Sequence, residues 1–235
     1  MQCTDCSNIP RLLEVIVTSL QEAREAELGG ADRLELVRSL GCGGLTPSPE
    51  LVQEIVASVS IPVRVMVREN ASMSVSGPPE MRILRSYVET FAKLPVDGLV
   101  FGFIKGGALD LKTIRALLAA APHLPVTFHR AFEHVEHPLA TIEQLKEFPQ
   151  IDRILTSGGS GSWRERKARL IEWQRAAAPQ IKILVGAGLR TSIFAGLREE
   201  PGLSELHVGR AARVPRAVSG VVDRAQVAAL KSALL

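Results

Sequence analysis

The feature that most constrains this chain is an alternation that persists for its whole length. A short β-rich run, a turn and an amphipathic helix succeed one another eight times, at roughly thirty residues per unit. The runs expected as strands are 12–17, 33–37, 62–67, 98–101, 125–129, 152–156, 182–185 and 205–208. Helical stretches are expected over 20–28, 49–58, 80–93, 111–120, 139–147, 163–177, 192–198 and 222–234. Strand–helix units of this number and size predict an α/β fold of the (β/α)8 TIM-barrel type in a single domain. The rival, an open doubly wound sheet, normally carries a glycine-rich turn after its first strand, and here that turn reads Thr18-Ser19. No linker-like stretch divides residues 11–235, while residues 1–10 read as a flexible N-terminal arm.

Composition removes several function classes. A net charge of +3 over 235 residues is too small to indicate nucleic-acid binding by itself. No uncharged apolar run reaches the roughly 18 residues of a membrane span. The opening MQCTDCSNIPR has no basic segment followed by an apolar one, so a cytoplasmic location is expected. Three cysteines, Cys3, Cys6 and Cys42, form no disulfide framework.

Polar residues inside the strands are the functional signal. Alternate strand residues face a barrel's interior, and those near the carboxyl ends line its mouth. Period two sets Glu14 between Leu13 and Val15, and places Arg33 with Glu35. It also groups Arg64, Met66 and Arg68, then Thr127 with His129, and Glu205 with His207. Buried charges must be paired, so Glu–Arg contacts are expected whether or not the lumen is functional. The functional reading takes Glu14, Glu35, His129 and His207 as candidate acid/base groups. Arg33, Arg64 and Arg68 would hold an anionic ligand, with Thr156 and Ser157 at the end of the sixth strand beside them. His134 and His137 fit no standard zinc spacing.

Two late segments look like anion cradles: Gly186-Ala187-Gly188-Leu189-Arg190 after the seventh strand, and Gly209-Arg210 after the eighth. Barrels commonly bind phosphate between these loops, where Gly186, Gly188 and Gly209 let the backbone approach and Arg210 offers a fork. The wording VGRA is similar to the phosphate loop of orotidine-phosphate decarboxylase-like barrels.

GADRLEL (30–36), GGLTPS (43–48), VTFHRAF (126–132), ILTSGG (154–159) and GAGLR (186–190) together resemble the CutC family. The resemblance runs from about Leu12 to Val208. It implies a cytosolic barrel with a role in copper homeostasis, hence possible copper as a ligand. The chain departs from the family's pattern in three places. Its first two strands lack cysteine, Cys42 stands where an acidic residue is usual, and 69–73 replaces an arginine- and glycine-rich loop. Met1-x-Cys3-x-x-Cys6 resembles the cuprous-ion motif of copper chaperones, and soft thiolates select Cu(I), which makes Cys3 and Cys6 the candidate metal ligands. Two functions follow as expectations: a copper-binding homeostasis protein, or a lyase or isomerase acting on a small phosphorylated or carboxylated metabolite. The expected partner is a small anion or a copper ion; homo-oligomerisation is left open.

Overall fold

The computed structural model describes residues 11–189, 191–200 and 202–234. Residues 1–10, with Cys3 and Cys6, and Arg190 lie outside the described residues.

Eight parallel strands close into a barrel: β1 (Leu12–Val17), β2 (Arg33–Leu36), β3 (Val63–Met66), β4 (Gly98–Phe101), β5 (Val126–Phe128), β6 (Ile151–Thr156), β7 (Lys182–Val185) and β8 (Glu205–Val208). Each strand pairs with its sequence neighbours, and β1 closes the ring against β8 through Leu12–Glu205 and Glu14–His207. Among the described residues eight α-helices connect and cover the strands: α1 (Leu20–Leu28), α2 (Pro49–Val56), α3 (Pro78–Phe91), α4 (Leu111–Ala120), α5 (Pro138–Lys146), α6 (Trp163–Ala177), α7 (Thr191–Arg198) and α8 (Arg224–Leu234). This is the expected (β/α)8 barrel. Among the described residues no helix is long and apolar enough to cross a membrane.

Local chemistry starts the helices where the sequence signals it. Ser19, Ser48, Asp110 and Ser162 each accept a backbone N–H of the first turn. Ser162 and Glu165 complete a capping box. Two short ribbons were not legible in the alternation. Ile104–Lys105 pairs with Ala108–Leu109, and Arg213–Val214 pairs with Val221–Val222, which delays α8 to Arg224.

Strand alternation sorts the side chains into two cores. Leu13, Val15, Leu34, Val65, Phe101, Phe128 and Leu206 face outward and join the helices in one large apolar layer. Inside the barrel the apolar content is a small separate cluster, Val37, Met66 and Val100, with Ile16 and Leu40 against it. Leu155 and Leu184 add two further buried apolar side chains, and the other lumen residues are mainly polar and charged.

Candidate active site at the barrel mouth

The lower lumen, at the amino ends of the strands, is a closed ion network. The Arg33 guanidinium contacts Glu14 and lies 3.2 Å from Glu205, which also accepts from Arg153 at 2.5 Å. Arg64 donates to both oxygens of Asp152 at 2.7 and 2.6 Å, to Asp97 at 3.0 Å and to the Thr127 hydroxyl at 2.8 Å. These opposite charges account for the burial of Arg33 and Arg64. The expectation that Arg33 and Arg64 hold an anionic ligand is therefore corrected. Their donors are committed to carboxylates, and neither residue lines the cavity above.

That cavity, of about 660 Å³, opens at the carboxyl ends of the strands. Glu35, His207, His129 and Arg68 line it, with Gly188, Gly209 and Arg210 toward the later loops. Its volume falls in the range of small-molecule sites. Sequence reasoning did not single out Arg130, Arg216 and Met73, which also line it. They come from irregular segments after the strands, where period two gives no phase.

His207 joins the two regions. Its Nδ1 lies 2.7 Å from Glu14 Oε1 and its Nε2 3.3 Å from Glu35 Oε2. Burial works to raise the Glu14 carboxyl, but the Arg33 charge and the His207 contact outweigh it and hold Glu14 below its ordinary value. Glu35 has no such escort: burial, reinforced by the Glu14 charge, pushes it up to about 7 against the pull of His207. Burial lowers His207, yet the two carboxylates prevail and raise it. Glu14 thus orients and charges His207 without lining the cavity, and Glu35 faces ligand space. Glu35 Oε1 is buried without a hydrogen-bond partner.

His129 follows β5 and caps the short 3-10 turn Arg130–His134, its Nδ1 accepting the Ala131 N–H at 3.2 Å. An accepting Nδ1 leaves the proton on Nε2 in the neutral ring. Burial, with the nearby Arg68 charge, pushes His129 down to about 3. Its Nε2 is the second buried atom at the cavity without a partner. Space for the ring comes from Gly102, where a Cβ would stand 2.6 Å from Nδ1. Arg68 is aimed by carbonyls: Nε donates to Asn70 at 2.7 Å and Nη2 to Cys42 at 2.8 Å. Its backbone N–H and C=O are both held by Thr46.

Thr156 and Ser157 do not bind at the cavity as expected. The Thr156 hydroxyl and the Ser157 N–H donate to Glu133, at 3.3 and 2.5 Å, and so anchor the turn that carries His129. Gly186 also lies off the cavity, because Leu155 and His207 pack over its Cα.

A family model describing the CutC family matches residues 11–212. The chain belongs to the CutC family. It is 36% identical over 197 residues to the human copper homeostasis protein cutC homolog, a match covering 83% of this chain and 72% of that protein. Over 208 residues it is 36% identical to a CutC family protein of Xanthomonas axonopodis pv. citri, with 86% of each covered. Among solved structures, a Streptococcus agalactiae protein described as a CutC copper homeostasis protein superposes with a TM-score of 0.78 at 27% identity, covering 85% of this chain and 98% of that one. Phosphoribosyl anthranilate isomerase from Thermococcus kodakaraensis, at 17% identity and TM-score 0.59, covers 95% of this CutC chain and 98% of its own, and shares the fold alone.

Proposed function

We propose that this CutC protein is an enzyme, a lyase or isomerase, that takes a small phosphorylated or carboxylated metabolite at the barrel mouth and moves a proton on it. One observation carries the reading: two residues that line the cavity, Glu35 and His129, each carry a buried polar atom, Oε1 and Nε2, that the protein itself does not satisfy. A lumen that served only packing would pair such atoms, because each unpaired one costs about 1–3 kcal/mol. Charge supplies the substrate class. Arg68, Arg130, Arg210 and Arg216 line the cavity, Arg130 paired with Glu133, and Glu35 is the lone carboxylate among the described lining residues. Near neutrality a carboxyl at about 7 is divided between its acid and base forms, which suits proton transfer.

Copper enters through the names of the relatives, and the donors described here do not fit a cuprous ion. Glu14, Glu35 and His207 come within 4.8 Å of one another, but they are oxygen and imidazole donors, whereas Cu(I) favours thiolate and thioether sulfur. Three sulfur residues also line the cavity: Met66 packs in the inner apolar cluster and Met73 against the outer core, while Cys42 is exposed. A copper site would rest on Cys3 and Cys6.

Calorimetric titration with inorganic phosphate and ribose 5-phosphate tests the reading. Arg210→Ala should weaken binding by about 1.5–3 kcal/mol, as for a lost hydrogen bond to a charged group. Equal affinities would make Arg210 a solvated charge. Stoichiometric Cu(I), held against a chromogenic chelator and lost in the Cys3→Ser/Cys6→Ser variant, would shift the assignment to copper.

A further inference from the structure

We infer that His129 donates its Nε2–H to the carbonyl oxygen of the substrate while Glu35 removes a proton from the adjacent carbon, so that the substrate is a phosphorylated α-hydroxy aldehyde or ketone. The inference rests on the anion-binding enzyme reading and names its chemistry.

Three arrangements converge on it. First, the tautomer of His129 is set by structure: the Ala131 N–H occupies Nδ1, so the ring, which lines the cavity, has in its neutral form one unpartnered nitrogen, Nε2, and that nitrogen is a donor. That removes His129 from the expected acid/base role. A ring held neutral by burial and by Arg68 stabilises an oxyanion through a hydrogen bond and leaves the proton where it is. Second, Glu35 has one oxygen toward His207 and the other unpartnered, so a base is present beside a relay that can return its proton. A carboxylate base of raised pKa with a neutral imidazole donor is the pairing suited to enolisation, which needs a base at carbon and a donor at oxygen together. Third, Arg130 is paired with Glu133 and Arg68 donates to backbone carbonyls, so Arg210 and Arg216 are the lining arginines suited to a fixed anion, and a phosphate matches such a fork.

The step balances without a co-reactant. Glu35 takes the proton from the carbon bearing the hydroxyl, and the C–H electron pair becomes the C=C bond of an enediolate. The carbonyl π pair moves to oxygen, where His129 Nε2–H meets the developing charge. Glu35 then returns the proton to the same carbon; in an isomerase the hydroxyl proton first shifts between the two enediolate oxygens, the oxygen that loses it re-forms a carbonyl, and Glu35 protonates the former carbonyl carbon.

Solvent exchange reads this directly. Dihydroxyacetone phosphate and ribulose 5-phosphate are incubated with the protein in D2O, and loss of the α-C–H proton signal is followed by NMR. Parent protein should exchange at least one of them. Glu35→Gln should slow the exchange by roughly 100-fold or more. His129→Ala should lower it by about 100–1,000-fold, the loss typical of one oxyanion donor. His129→Gln, which sets an amide N–H near the position of Nε2–H, should recover a tenth or more of the parent rate. A purely structural histidine would not show that recovery. If either His129 variant fails to fold, ¹⁵N NMR of the parent imidazole decides the donor assignment. A neutral Nε2–H ring from pH 5 to 8 supports it, and a ring that charges above pH 5 overturns it. Phosphate binding without exchange of either ketone phosphate overturns the inference and leaves the anion-binding reading standing. Absence of phosphate binding overturns both.

Discussion

The two ends of this barrel lumen hold similar residues and arrange them oppositely. At the amino ends of the strands, Arg33, Arg64 and Arg153 meet Glu14, Glu205, Asp97 and Asp152, and the charges close on one another. At the carboxyl ends, Glu35, His129 and Arg68 share the cavity, and Glu35 and His129 each keep a polar atom unpaired. Residue type therefore does not separate filler from function here. Completeness of pairing does: the closed end stabilises a single arrangement, and the open end leaves hydrogen-bonding capacity for a ligand. His207 stands on the boundary, with Glu14 of the closed network on one nitrogen and Glu35 of the open site on the other.

The sharpest way to break the contrast is to open the closed end. Arg33→Met removes the guanidinium between Glu14 and Glu205, leaving Glu14 with His207 and Glu205 with Arg153, and urea denaturation should show a loss of about 3 kcal/mol, the lower end of the cost of removing one partner from a buried ion pair. A loss under 1 kcal/mol would mean that the lower network is as loosely coupled as the mouth. Next in size is Gly102→Ala. Its Cβ would press on the His129 ring at 2.6 Å, so a cost of about 1–3 kcal/mol and a displaced imidazole are expected. Thermal melting and the imidazole ¹⁵N shifts would check both.

Smaller and more specific are two pH signatures within the open end. Glu35 is raised from 4.5 to about 7, so the folded state binds the extra proton and this group makes stability fall as pH rises across that interval. His129 is lowered from 6.5 to about 3, so the unfolded state binds the extra proton and this group makes stability rise across that interval. Between pH 4.5 and 6.5 the two oppose each other. Denaturation at several pH values in that window should give a slope shifted upward in Glu35→Gln and downward in His129→Gln, each by up to about 1.4 kcal/mol per pH unit. Glu14 and Glu205, held low by their arginines, contribute stability above pH 4.5 that is lost in acid. Acid unfolding should therefore begin in the closed end.

Much of this was legible in the letters. Alternating strand and helix signals predict the barrel, and period two turns Glu14, Arg33, Glu35, Arg64, His129, Glu205 and His207 away from the outer apolar layer. Those inferences need only neighbours in sequence and the geometry of a pleated strand. Which arginine is spent and which remains available was not legible. Arg64 and Arg68 share a strand phase, yet one lies among Asp97, Asp152 and Thr127 and the other at the cavity. The partners of Arg64 come from 33 to 88 residues away, brought close by barrel closure. Thr156 and Ser157 were misread for the same reason, since their partner Glu133 arrives from the preceding strand's loop. Architecture and the polarity of the lumen can be read from residue order alone, because local periodicity governs both. Where that polarity is satisfied and where it is left open emerges with barrel closure, because pairing depends on distances between strands that no local pattern encodes.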